Sequence, residues 1–282
     1  MSLLVFETIS SVRSWVEQQK NLGFTIGFVP TMGALHAGHM SLVELARAKC
    51  DVVISSIFVN PTQFNNPSDL KHYPKTLQKD KTLLEKFGCD VVFVPSIDEM
   101  YPQLQTGHWD FGTLSHTLEG HFRPGHFDGV LTIVKKLFQI VEPDYAFFGE
   151  KDFQQLAHIR RLVEVDNIPV KVIGCPTSRD IDGLAMSSRN VRLSPDERKC
   201  ALAISKTLFL LKDLAPKNTP MGLKELGKQL LNQSEGIQLE YLEIIDGQSF
   251  EEIEEWDEAK IPVALVAAFV GQVRLIDNIY LK

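Results

Sequence analysis

No stretch of these 282 residues stays apolar for the roughly 18–20 residues a bilayer span needs, so nothing in the chain reads as a transmembrane helix. Basic residues are outnumbered, 29 Lys and Arg against 36 Asp and Glu for a net charge of −7. That removes the electrostatic footprint of a nucleic-acid binder and of a polybasic membrane patch. Cysteine is scarce: Cys50, Cys89, Cys175 and Cys200 are scattered, with no C-x-x-C pair. They argue against a disulfide framework or zinc knuckle and for reduced, mostly buried thiols. The opening Met-Ser-Leu-Leu-Val-Phe-Glu lacks the basic region of a secretory signal, so a cytoplasmic address is expected. Two nucleotide signatures are missing as well. No G-x-G-x-x-G follows a strand-like run, and Gly33-x4-Gly38 carries His39-Met40 where a P-loop requires Lys-Ser/Thr.

Length allows one or two domains. Over the first 175 residues, β-rich runs at Phe24–Val29, Val52–Val59, Val91–Val94, Tyr145–Phe148 and Val170–Ile173 alternate with helical patterns. Those patterns cover Met40–Lys49, Leu77–Phe87, Val130–Val141 and Phe153–Val165. Near-continuous apolar strands alternating with helices predict an α/β fold, a doubly wound parallel sheet covered on both faces. After about residue 176 the pattern changes. Ser194-Pro-Asp-Glu197 is a capped helix start, followed by a helix to about Leu214 and a polar loop. Strand-like runs come next at Leu239–Ile245, Val263–Val270 and Val273–Ile279, the last two joined by Gly271-Gln272. The expected division is a Rossmann-like domain over 1–176 and a smaller C-terminal α+β domain over 177–282, hinged near Pro176–Asp182.

Ligands of doubly wound sheets bind beyond the carboxyl ends of the strands, and the chemistry-bearing residues fall there. Pro30-Thr-Met-Gly-Ala-Leu-His-Ala-Gly-His39 joins the first strand to a helix, a turn expected to offer free backbone N–H groups to an anion. His36 and His39 either donate to a phosphate or merely cap the helix; no nearby carboxylate or cysteine completes a metal set. Asn60-Pro-Thr-Gln63 follows the second strand, and Gln63 offers a neutral amide in apolar surroundings. Gly149-Glu-Lys-Asp-Phe-Gln-Gln155 opens a helix where Lys151, a cation against the helix dipole, calls for a nearby anion. Met186-Ser-Ser-Arg189 supplies two hydroxyls and a guanidinium, a set that holds polyphosphate or simply solvates a loop. Arg123-Pro-Gly-His126 reads either as a lid or as an ordinary surface loop. The H-x-G-H and Ser-Ser-Arg pair resembles the two-part signature of adenylate-forming nucleotidylyltransferase-type enzymes.

Taken in order, Pro30–His39, Ser56–Phe64, Arg123–Phe127, Phe148–Gln155, Asp182–Asn190 and Arg274–Asn278 resemble the blocks of the pantothenate synthetase (pantoate–β-alanine ligase) family over essentially the whole chain. The resemblance implies a Rossmann-like nucleotidylyltransferase-type fold and a cytoplasmic homodimer. It implies ATP-dependent condensation of (R)-pantoate with β-alanine through an enzyme-bound pantoyl adenylate, releasing AMP and pyrophosphate. On that template Met32, Gly33, Ala34, Leu35, His36, Ala37, Gly38 and His39 line the ATP site. Gly149, Glu150, Lys151, Asp152, Ser178, Met186, Ser187, Ser188 and Arg189 complete it. Gln63 and Gln155 hold pantoate with Pro30 and Met32 beside them, Gln63 also serves β-alanine, and His39 takes the family's proton-donor role. Ala37 stands where an acid is frequent and Ser178 where an apolar residue is frequent. The family's magnesium-side acids are not matched around Lys79-Asp80, so Mg²⁺ is expected on the ATP phosphates with no protein ligand.

An ionised pantoate carboxylate needs no base to attack the α-phosphorus of ATP. Positioning and charge stabilisation by Lys151, Arg189, Ser187, Ser188, His36 and His39 are therefore the expected source of rate. A closing second domain is expected to keep water from the mixed anhydride. Another nucleotidylyltransferase, a non-catalytic nucleotide sensor and a histidine-based metal hydrolase are the competing readings.

Overall fold

The computed structural model describes residues 2–103 and 105–282. Its helices are α1 (Ile9–Asn21), α2 (Ala37–Lys49), α3 (Pro67–Lys71), α4 (Leu77–Lys86), α5 (Ile97–Met100), α6 (Thr113–His116), α7 (Leu118–Phe122), α8 (His126–Val141), α9 (Phe153–Val165), α10 (Pro195–Leu214) and α11 (Pro220–Gln233). The strands are β1 (Leu4–Phe6), β2 (Ile26–Thr31), β3 (Val52–Ile57), β4 (Val91–Phe93), β5 (Tyr145–Gly149), β6 (Lys171–Cys175), β7 (Ile237–Asp246), β8 (Pro262–Val270) and β9 (Val273–Tyr280).

Two compact units result. The first comprises residues 1–115, 119–150 and 154–176. It holds a six-stranded sheet in the order β1-β4-β3-β2-β5-β6, every pairing parallel. Strand β3, Val-Val-Ile-Ser-Ser-Ile, is buried at every position, as a parallel strand covered on both faces must be. Ser55 lies inside because its hydroxyl donates to the Val29 carbonyl at 2.9 Å. One face of the sheet packs on α8, whose buried residues include Val130, Leu131, Val134, Leu137 and Phe138. The other packs on α2 through Met40, Val43 and Ala46. Full burial of each such large apolar side chain stabilises the fold by about 1.5–3 kcal/mol.

The chain runs from β2 outward to β3 and β4, then returns to place β5 on the opposite side of β2. The β2–β5 boundary is therefore the switch point at which doubly wound sheets open a crevice. The ladder there spans only Gly27↔Tyr145 and Phe28↔Ala146, whereas β2 follows β3 to Thr31 and β5 follows β6 to Gly149. Beyond Phe28 and Ala146 the two strands part company. Pro30, which has no N–H to donate, is tolerated in a central strand because it lies past the pairing on that side.

The second unit comprises residues 116–118, 151–153 and 177–282. Its sheet is antiparallel, β7-β8-β9, backed by α10 and α11. Helix α10 starts with the expected reciprocal cap: Ser194 accepts from the Glu197 N–H, and the Glu197 carboxylate accepts from the Ser194 N–H. Sequence reading missed α11, β1 and α1. It began α8 four residues late, at Val130, whereas the helix starts at His126. Cys50, Cys89 and Cys175 are buried and Cys200 is partly so, all as free thiols. Burial pushes Cys50 and Cys175 up to about 11 and Cys89 to about 12, which keeps them protonated and inert. No helix among the described residues is long and apolar enough to cross a membrane.

Candidate active site

The turn after β2 departs from its simplest reading. Its backbone N–H groups are not left open for an anion. Gly33 N–H donates to Thr31 Oγ1 at 3.2 Å, while Ala34 and Leu35 donate to the two oxygens of Asp80 at 3.0 and 2.9 Å. His36 N–H donates to His39 Nδ1 at 3.3 Å, and Gly38 N–H to His36 Nδ1 at 3.2 Å. Gly33 (φ +80°) and Ala34 (φ +50°) take two consecutive left-handed conformations. A non-glycine residue there costs about 1–2 kcal/mol, and the buried Asp80 carboxylate offsets it. The expectation of an open backbone anion cradle is thus corrected at Gly33, Ala34, Leu35, His36 and Gly38, whose N–H groups are already engaged.

His36 is the N-cap of α2 and His39 its third helical residue, each ring accepting at Nδ1 from the other's segment in a reciprocal capping box. A neutral imidazole whose Nδ1 accepts carries its proton on Nε2. The cap therefore fixes both rings as Nε2–H donors, 4.1 Å apart between centroids. Capping and donating are two ends of the same rings. Ala37 between them is exposed, so its side chain contributes nothing.

After β3, Gln63 closes a short 3-10 turn and is held from three sides. Its Oε1 accepts from Asn60 Nδ2 at 3.1 Å, its Nε2 donates to Met32 Sδ at 3.1 Å, and its carbonyl accepts from the buried His126 at 2.8 Å. Asn60 is itself fixed, donating to the Gly129 carbonyl at 3.0 Å and accepting from Tyr101 and Thr62 hydroxyls at 2.8 and 3.0 Å. Burial pushes the Tyr101 phenol up, keeping it a donor. Gly129 is obligatory: a Cβ there would lie 2.4 Å from the Thr62 carbonyl oxygen and 2.8 Å from Gln63 Cα. In the segment Arg123–His126, one of whose readings was a lid, Pro124 and Gly125 are exposed while the two ends are held. Arg123 donates to Glu119 at 3.2 Å and His126 is 6% exposed. Gln155 lies in the first turn of α9, half-buried, past the end of β5 and Gly149-Glu150.

In the second unit, Lys151 and Ser187 line one small cavity with Asn190, Leu184 and Asp277. Lys151 Nζ lies 3.8 Å from the Asp152 carboxylate and its side chain is 17% exposed. Met186 N–H donates to the Ser178 carbonyl at 3.0 Å, and Ser187 Oγ caps the 3-10 turn Ser188–Arg192 by accepting from Arg189 N–H at 3.3 Å. Pro30, Met32–His39, Gln63, Gln155, Gly149 and Glu150 thus belong to the first unit, and Lys151, Asp152, Ser178 and Met186–Arg189 to the second. Among the described residues no group of three His, Cys, Asp or Glu is arranged to hold a metal ion. Sequence reading named Asn60 and His126 within their motifs without giving them this role, and missed Asp80, Tyr101 and Gly129, which act on segments brought near by the fold and not by local spacing.

Residues 4–280 match the family model described as pantoate–beta-alanine ligase. A pantothenate synthetase of Porphyromonas gingivalis is 46% identical over 275 residues, covering 98% of each chain. One from Phocaeicola vulgatus is 48% identical over 277 residues, again at 98% of each. The crystal structure of pantothenate synthetase from Thermus thermophilus superposes with a TM-score of 0.93 at 38% identity, covering 99% of each chain. The pantoate–beta-alanine ligase of Francisella tularensis, solved with beta-gamma ATP and beta-alanine, gives 0.82 at 38% identity, covering 99% of this chain and 97% of that one.

Proposed function

The chain belongs to the pantoate–β-alanine ligase family, and we propose that it joins (R)-pantoate to β-alanine in two half-reactions through a bound pantoyl adenylate. In the first, a pantoate carboxylate oxygen attacks the α-phosphorus of MgATP and pyrophosphate leaves with the bridging electron pair. In the second, the neutral amine of β-alanine attacks the acyl carbon, AMP leaves, and the amide forms as the amine loses its proton. The magnesium ion arrives with the nucleotide and offsets phosphate charge.

The observation that carries this reading is the histidine pair beside the β2–β5 crevice, whose capping box leaves each ring an Nε2–H donor. A carboxylate nucleophile needs no base, so the first step asks for donors where negative charge gathers, and His39 serves as donor to a phosphoryl oxygen. His36, Lys151, Ser187, Ser188 and Arg189 share the charge of the triphosphate. The remaining ATP contacts run along Met32–Gly38, Gly149, Glu150, Asp152, Ser178 and Met186. Gln63, fixed so that its Nε2–H₂ faces the Met32 side, takes pantoate and then β-alanine, with Gln155, Pro30 and Met32 on the pantoate side. The division into domains 1–176 and 177–282, drawn from the change of sequence pattern, belongs to the same proposal, as do the homodimer and the cytoplasmic address that the family resemblance implies.

The test is product analysis with ATP, pantoate and β-alanine together and with each left out. AMP accumulation requiring all three, together with ATP–pyrophosphate exchange requiring pantoate alone, is the expected result. Exchange without pantoate, or AMP release without β-alanine, would overturn the two-step reading. His39→Ala and Lys151→Ala should each cut exchange at least about a hundredfold, the usual cost of removing a donor of this kind. Near-normal exchange in either folded variant would remove that residue from the site.

A further inference from the structure

Late in the last strand stand Asp277-Asn278, two buried polar residues, each 4% exposed. Neither is needed to close β9 on β8, since that ladder is made by backbone. Their side chains turn instead to two segments distant in the chain. Asn278 Nδ2 donates to the Lys151 carbonyl at 2.9 Å. Asp277 takes both Arg179 guanidinium nitrogens, at 2.6 and 2.9 Å, and its Oδ1 also accepts the Asn278 N–H at 2.8 Å. Arg179 donates further to the Gly183 and Asn278 carbonyls at 3.2 Å each and lies over the Phe209 ring.

Arg179 sits at the base of a small hairpin, bridged to Ala185, with Met186 N–H on the Ser178 carbonyl and Asp180 N–H on that of Leu184. That hairpin leads straight into Ser187–Arg189. Lys151, for its part, lies in the short 3-10 turn Glu150–Asp152 that leads into α9. One stretch of β9 thus grips, by adjacent residues that are hydrogen-bonded to each other, the turn bearing Lys151 and the hairpin that leads into Ser187–Arg189.

We propose that Asn278 is a positioning residue for Lys151, fixing the backbone from which its ammonium extends, and that the Asp277–Arg179 pair holds the Ser187–Arg189 loop in the same frame. The inference rests on the assignment of Lys151 and Ser187–Arg189 to the triphosphate. Asn278 itself touches no substrate. A displacement of about 1 Å at a positioned group is enough to cost about a hundredfold in rate, so a lost tether should be felt in catalysis without unfolding the sheet.

The experiment is a double-variant cycle on the full-length enzyme, reading pantoate-dependent ATP–pyrophosphate exchange and the dissociation constant for a non-hydrolysable ATP analogue. Asn278→Ala should lower exchange about tenfold to a hundredfold while its unfolding midpoint stays close to that of the parent. In a Lys151→Ala background the same change should cost less than about threefold in either readout, because its effect passes through Lys151. If Asn278→Ala yields too little folded protein, Asn278→Asp keeps the shape, loses the donor and should show the same pattern. A cost that is equal in both backgrounds, or a loss of stability with exchange unchanged, overturns the positioning role. Lys151→Ala with near-normal exchange overturns the site assignment on which it rests, a different outcome from the first two.

Discussion

Asp80→Asn is the sharpest probe of how the β2 turn is built. The carboxylate is 1% exposed and accepts three donors: Ala34 N–H on Oδ2, and Leu35 N–H and the Thr76 hydroxyl on Oδ1. Asparagine matches it in shape but exchanges one acceptor oxygen for an NH₂ group. Whichever way the amide faces, that NH₂ points at a backbone N–H, donor against donor. One charge-assisted hydrogen bond is lost, about 1.5–3 kcal/mol, and the buried mismatch that replaces it costs about 1–3 kcal/mol. Loss of the buried charge recovers part of this, leaving a net cost of about 3 kcal/mol. At about 2–4 °C per kcal/mol for a chain of this size, the unfolding midpoint should fall by roughly 6–12 °C. The strained Gly33–Ala34 turn relaxes with it, and His36 and His39 shift. A misplacement of about 1 Å costs up to about a hundredfold, so the KM for ATP should rise at least about tenfold. Scanning calorimetry and exchange kinetics read the two effects separately. An Asn variant with the parent's midpoint and the parent's KM would refute the claim that Asp80 holds the turn.

The other predictions concern groups the fold has committed. His158 is fully buried, stacked on Phe127 at 3.7 Å, and burial pushes its imidazole down to about 4 from 6.5. The unfolded chain binds that proton near pH 6.5 and the fold only near 4, so the contribution to stability is complete above about 6.5. It falls as pH drops to about 4, by about 1.4 kcal/mol per pH unit and about 3 kcal/mol in all. Urea midpoints at about pH 7 and about pH 4.5 should therefore converge in His158→Gln relative to the parent, and equal pH slopes in the two would refute the assignment. Gly129→Ala drives a methyl into the Thr62 carbonyl and displaces Gln63. It should cost about 1–3 kcal/mol of stability and raise the KM for pantoate more than that for ATP; a wild-type pantoate KM would count against Gln63.

The sheet was legible because its strands are apolar at almost every position, and β3 is the extreme case of burial along its whole length. Helix α1 was not, since between Ile9 and Asn21 only Val12 and Val16 are buried and the remaining face is polar. Helix α11 was hidden by Gly222 and Gly227, which lower its propensity. Yet Gly227 is there because a Cβ would meet Leu211 and Leu242 at 2.9 Å. In the site, the residues proposed to touch a ligand sit in short motifs beside strand ends, and the family resemblance of those motifs gives them their roles. Some residues that hold those motifs lie far from them in the chain. Asp80 lies 46 positions from Ala34, Gly129 lies 66 from Gln63, and Asn278 lies 127 from Lys151, differences of residue number that no local pattern encodes.

The histidine turn shows why a structural and a functional reading of one motif need not compete. A P-loop turns its backbone N–H groups to phosphate and adds a lysine and a hydroxyl side chain. Here the backbone donors go to Asp80, Thr31 and the two imidazoles, an arrangement that makes the turn rigid before any ligand arrives. Because each imidazole uses Nδ1 for that purpose, its proton must reside on Nε2, and its orientation is set by the helix it caps. Donors held in place by the fold lose little freedom when a phosphate binds, which is the physical requirement for stabilising charge as it develops. Removing the cap would therefore blunt the donor, and histidine meets both demands where a serine or aspartate, which caps as well, keeps no N–H to give.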